Sequence, residues 1–86
     1  MPELSRFFGI VVAMHYSDHA PSHIHACYGN HDAHIDIGTG AMLAGSQPSG
    51  AQRLVTEWLV LHKPELLANW QRAASRQPLR RIDPLR

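Results

Sequence analysis

Two alternating runs joined by Gly29-Asn30 govern how this chain of 86 residues can fold. Ser22 to Tyr28 and His31 to Ile37 each alternate polar with apolar side chains, and a strand sends successive side chains to opposite faces of its sheet. A two-residue Gly-Asn connection between such runs signals a type II′ hairpin, because glycine accepts the positive φ of the first turn position. That turn sets a register. Tyr28 stands opposite His31, Cys27 opposite Asp32, His25 opposite His34 and His23 opposite Asp36, while Ala26 meets Ala33 and Ile24 meets Ile35. One face is therefore apolar, and the other carries His23, His25 and Cys27 against Asp32, His34 and Asp36. Directly opposed Cβ atoms lie about 4.5–5.5 Å apart, near enough to share a ligand or a proton. A three-residue loop would reverse the parity and scatter the cluster.

The flanking sequence is read by the same rules. Phe7 to Tyr16 is apolar on both parities and rich in β-branched and aromatic residues, which predicts one strand covered on both faces. Ser17 to Pro21 reads as a loop, since the residue before proline is pushed out of the helical region. Gly38-Thr39-Gly40 is a turn, and Ala41 to Ser46 fits a short fourth strand. Ser49 with Gln52 has the spacing of a capping box, and Ala51, Leu54, Val55, Trp58, Leu59 and His62 recur at helical spacing. Pro64 suits the first turn of a second helix, whose apolar stripe is Leu66, Leu67, Trp70, Ala73 and Ala74 and which Pro78 ends. Trp58 and Trp70 read as core anchors. The expected fold is α+β in one domain: a three- or four-stranded antiparallel sheet over residues 7–46, then two helices over 49–77, then an irregular basic tail over 78–86.

Composition narrows the setting. A hydrophobic share of 44% is that of a globular protein, and the single cysteine, Cys27, excludes an internal disulfide. There is no charged segment followed by an apolar run at the N-terminus, and no apolar stretch near the ~20 residues of a membrane helix. The expectation is a soluble, cytoplasmic protein without a membrane partner. Charge is uneven: residues 1–50 carry Arg6 against Glu3, Asp18, Asp32 and Asp36, whereas residues 51–86 carry seven Lys and Arg against Glu57, Glu65 and Asp83. A basic C-terminal part suits an acidic or nucleic-acid partner, or a solvated helix face.

Four of the seven histidines fall on the hairpin, and histidine is both the side chain that titrates nearest neutrality and the commonest metal ligand. As a metal set, His23 and His25 are completed by His34 or Asp36, a donor combination suited to zinc or another divalent ion. No helical His-Glu-x-x-His and no Cys-x-x-Cys accompanies them. As metal-free chemistry, His23 and His25 are general base and general acid in RNA cleavage, a role that also needs a cation to steady the phosphorane charge. Arg6, Arg53, Arg80 and Arg81 are the candidate cations, and Tyr28 and Tyr16 the candidate base-stacking groups. Cys27, flanked by Ala26 and Tyr28, reads as a small packed thiol and not as a nucleophile. His62 reads as a helix-end residue complementing the dipole, and His15 is left open.

The run Ser5-Arg6-Phe7-Phe8-Gly9-Ile10, then Met14, then Asp18-His19-x-Pro21-x-His23-x-His25-Ala26-x-Tyr28-Gly29 resembles a family of small bacterial proteins classed as a domain of unknown function. Ile35-Asp36-Ile37, Glu57-Trp58-x-x-Leu61-His62, Glu65-Leu66-Leu67-x-Asn69-Trp70 and Pro78-Leu79 extend the resemblance over nearly the whole chain. It implies a small partner protein encoded by a neighbouring gene, in a layout similar to toxin–antitoxin pairs, and an inhibitory activity on RNA or translation. His19, Pro21, His23 and His25 match the family motif; His34 does not, since relatives carry an apolar residue there. The expectation is a toxin-like protein acting on RNA, an endoribonuclease in its enzymatic form. His19, His23 and His25 are its catalytic candidates and Arg6, Tyr28, Arg80 and Arg81 its binding residues. The alternatives are a non-catalytic, antitoxin-like partner, and a divalent-metal protein using His23, His25 and Asp36. Association with a second copy of the chain is compatible with each.

Overall fold

The computed structural model describes residues 2–16 and 19–86, so the expected loop Ser17 to Pro21 lies partly outside the described residues. Five strands, β1 (Glu3–Phe7), β2 (Ile10–Ala13), β3 (His23–Tyr28), β4 (His31–Asp36) and β5 (Met42–Gly45), precede one helix, α1 (Ser49–Ala74). The strands form a single antiparallel meander in chain order. β3 and β4 pair in the register read from the turn, with His25 on His34 and Ile24 on Ile35. Gly29 has φ 58° and Asn30 does not join it in the left-handed region, which is the type II′ pattern.

The sheet has more strands than expected because the run from Phe7 to Tyr16 is not one strand. Phe8 and Gly9 both take positive φ, 50° and 80°, and turn the chain back so that Phe7 faces Ile10. Two adjacent positive φ values make a type I′ hairpin, here with an aromatic residue at a position that Asn or Gly usually fills. A bulge at Leu4 follows from the register shift between Glu3 and Ser5. It lets Leu4 and Ser5 both turn inward while Glu3 and Arg6 stay outside.

The two expected helices run on as one element, α1, that bends where they were expected to meet. It runs past Pro64 but breaks helical geometry at His62, with φ −118° and ψ 18°. The kink relieves the proline ring, which would otherwise clash with the preceding turn. His62 accepts the role of hinge residue: its ring lies 5.4 Å from that of Trp58, and Nδ1 is 2.6 Å from Glu65 Oε1. The capping box does not form. Pro48 is the N-cap, no side chain caps the helix, and the Gln52 amide donates to the Pro48 carbonyl. The helix stops three residues before the expected 77, because Arg76 enters the left-handed region at φ 57°. Arg76 N then donates to Ala73 O and Gln77 N to Arg72 O, a Schellman closure.

α1 covers the apolar face of the sheet. Val55, Trp58, Leu59 and Leu66 pack with Ile10, Val12, Ile24, Ala26, Ala33 and Ile35 in one buried core. The C-terminal segment is irregular, as expected, but it is no loose tail. Ile82 is buried in that core and its amide donates to Leu4 O, while Trp58 Nε1 donates to Asp83 O at 2.8 Å. Buried Asn69 accepts from the Arg80 amide and donates to the Arg80 carbonyl. Among the described residues, no helix is long and apolar enough to cross a membrane.

Gly45 closes the far edge. Its φ is 81°, and a Cβ there would fall on the Asp32 backbone carbonyl. Gly45→Ala is expected to lower unfolding free energy by about 2 kcal/mol or more in chemical denaturation, through left-handed strain plus the clash. Gly29→Ala, whose Cβ meets nothing within 4 Å, is expected to cost about 1 kcal/mol. Equal losses would contradict the placement of β5.

Candidate functional site

The face of the sheet turned away from α1 gathers imidazoles from β3, β4 and the segment that follows β2. Register puts His23 and His25 of β3 on this face with His34 of β4, and Ala13 of β2 beside His25. His15, two residues beyond Ala13, continues the same parity. Ring centroids are 4.0 Å apart for His15 and His25, 4.2 Å for His25 and His34, and 5.2 Å for His23 and His25. His23 also stacks on His34 at 5.7 Å and meets the Trp70 ring at 5.3 Å. Among the described residues, His23, His25 and His34 each bring one potential ligand nitrogen within 4.8 Å of the others.

The face is less open than its polar composition suggests. His23 and His25 are each only 7% exposed; His34 is half-buried and His15 exposed. The rings screen one another, with Ala13 as floor and Trp70 as a wall reached from the second half of α1. His23 Nδ1 lies 2.8 Å from the Pro21 carbonyl. A carbonyl only accepts, so Nδ1 carries the proton and a neutral His23 ring holds its lone pair on Nε2.

The other expected site residues are dispersed. His19 is exposed on the segment leading into β3 and is not one of the three grouped ligands. Asp36 faces His23 in register, but its Oδ1 accepts from the Thr39 amide at 3.0 Å. The third member of the grouped set is His34, not Asp36. Arg6 lies on the histidine face and pairs with Glu3 at 2.7 Å, as Arg81 does at 3.1 Å. Those two guanidinium groups, Arg6 first, hold the Glu3 carboxyl below its ordinary range. Tyr28 belongs to the opposite face, in a groove of about 280 Å³ shared with Phe8, Arg53 and Leu54. Arg80 and Arg81 line a separate groove of about 340 Å³ with Arg72, whose Nη1 donates to Asn69 Oδ1 at 2.9 Å. It shares no lining residue with the cluster. From the sequence alone His15 is left open and Trp70 reads only as core. His15 follows Ala13 by the period of a strand, a signal hidden by the unrecognised turn at Phe8-Gly9.

A meander sheet backed by one kinked helix, with clustered histidines on its other face, defines a small α+β protein. The family model described as Domain of unknown function (DUF4160) matches residues 9–71, and the chain belongs to that family. No curated protein and no solved structure matches it.

Cys27 shares the histidine face, with Sγ 3.7 Å from Asp32 Oδ1. Burial first, then the negative charge of Asp32, raises the thiol above its ordinary value. The thiolate is the reactive form, so Cys27 is expected to react with a disulfide reagent at pH 7 more slowly than free cysteine. Asp32→Asn is expected to speed the reaction by lowering the thiol towards its ordinary value. A wild-type rate equal to that of free cysteine would contradict this arrangement.

Proposed function

We propose that this chain is the toxin-like member of a two-protein bacterial module and that its histidine cluster is the centre through which it acts on RNA. The reading is carried by one observation: two imidazoles are taken almost wholly out of water on a face that the hydrophobic core does not use. A buried imidazole needs hydrogen-bond partners for its ring nitrogens, a requirement that apolar residues covering this face would not carry. Such placements concentrate at functional sites. The chemistry that clustered imidazoles perform on RNA is proton transfer. One takes the proton of a ribose 2′-hydroxyl as its oxygen bonds to the adjacent phosphorus, and another returns a proton to the departing 5′-oxygen. The Arg6 and Arg81 guanidinium groups converge on Glu3, whose register partner is Ala13. Ala13 in turn faces His25, so the Glu3 carboxylate that anchors both arginines stands on the same cross-strand row as His25.

A second reading, a non-catalytic antitoxin-like partner, is favoured by β5. All four of its residues are exposed and it closes one edge of the sheet, an open template for a strand of another chain.

Inducing this chain alone is expected to arrest bacterial growth, and co-expressing its genomic neighbour to relieve the arrest. His25→Ala and His23→Ala are expected to abolish it, with folding checked by circular dichroism, and His31→Ala to leave it intact. Indifferent growth, together with no RNA cleavage by purified protein, would reject the toxin reading. A tight complex with the neighbour under those conditions would favour the antitoxin-like one.

A further inference from the structure

We infer that His23, His25 and His34 form a binding site for one divalent transition-metal ion of the zinc class. The inference rests on the cluster being a functional centre and is independent of RNA being its target. Three features of the cluster point to a metal.

The first is separation. Three ligand nitrogens, one from each ring, already lie within 4.8 Å of one another. Tetrahedral zinc holds nitrogens at 2.0–2.1 Å, hence about 3.4 Å apart, so side-chain rotations of about an ångström complete the geometry.

The second is the tautomer of His23. Metal-bound histidines characteristically donate their other ring N–H to a carbonyl or carboxylate, which orients the ring and raises its basicity. The Pro21 carbonyl does this for His23 Nδ1 at 2.8 Å.

The third is the donor set. The nearby carboxylates are engaged elsewhere, Asp36 by the Thr39 amide and Asp32 by the Cys27 thiol. Among the described residues that leaves a grouped set of three imidazoles, which suits zinc, nickel or cobalt better than magnesium or calcium. Three protein ligands leave the fourth position of a tetrahedral ion to water. His15 packs on His25 at 4.0 Å between centroids and is not one of the three grouped ligands.

A metal takes up imidazole lone pairs, so a loaded cluster has fewer left for proton transfer. Metal loading is therefore expected to compete with proton transfer at the same rings, while affinity and growth arrest are read in separate assays. The test uses the full chain without a polyhistidine tag, titrated with Zn²⁺ by calorimetry and by thermal unfolding, and with Co²⁺ by absorption. One equivalent is expected to bind. The melting temperature should rise by about 10 °C or more at a metal concentration 100-fold above Kd. Co²⁺ should give the intense visible bands of a four-coordinate ion. His34→Ala, which removes a half-buried ligand, should weaken binding at least about 10-fold, while His31→Ala and His19→Ala should leave it unchanged. If His23→Ala or His25→Ala fails to fold, His34→Ala and the Co²⁺ spectrum still decide. Absence of binding, affinity unchanged in His34→Ala, or an equal shift with Mg²⁺ would overturn the site. Loss of growth arrest in the histidine variants tests the proposed function by a readout that does not depend on metal affinity.

Discussion

The pairing of β3 with β4 is the interaction on which everything else in this structure depends. Its turn holds two residues, Gly29 and Asn30, and its register alone decides whether the histidines of the two strands share a face. A slip by one residue would send Ile24 and Ile35 to the outer face and the imidazoles into the core against Trp58. Cross-strand pairing thus serves the core and the cluster at once. The apolar pairs Ile24–Ile35 and Ala26–Ala33 give α1 a surface to cover, and their burial stabilises the register that also assembles His23, His25 and His34.

The two faces meet different demands. Behind the sheet, α1 removes apolar side chains from water in the ordinary way, and the C-terminal segment seals the joint through Ile82, the Trp58–Asp83 hydrogen bond and the Asn69 clamp on Arg80. In front, no helix lies over the sheet, yet His23 and His25 are nearly as buried as core residues. Their cover is other polar or amphipathic side chains: His15, His34 and the edge of Trp70, which the kink at His62 carries within reach of β3. The Pro64 kink is therefore part of the site as well as of the fold.

The hairpin, its register and the division of its faces were legible in the sequence because period-two alternation and a Gly-containing two-residue turn are local signals. So was the helical stripe containing Trp58. The turn at Phe8-Gly9 was not, since Phe7 to Tyr16 is apolar on both parities and a single glycine beside a phenylalanine is a weak turn signal. Missing it hid both a strand and His15. Pro64 suggested a boundary between helices, but the chain absorbs the proline by bending one residue pair earlier. Tyr28 falls on the opposite face by the same alternation, whereas the placement of Arg80 and Arg81 was beyond local reading, because distances to residues far away in the chain are set by packing. Ile82, between Arg81 and Asp83, carries no periodic signal, and its place in the core accompanies the hydrogen bond of its amide to Leu4 O of β1.

The account stands on the imidazoles of His15, His25 and His34 lying together on one face. In a nuclear Overhauser spectrum of protein labelled only at histidine, the His25 ring protons are expected to show cross-peaks to those of both His15 and His34, from rings 4.0 and 4.2 Å apart between centroids. No cross-peak from His25 to Trp58 is expected, since the core face lies on the other side of the sheet. Absence of the histidine–histidine peaks, or contact between His25 and Trp58, would contradict the register and the site built on it.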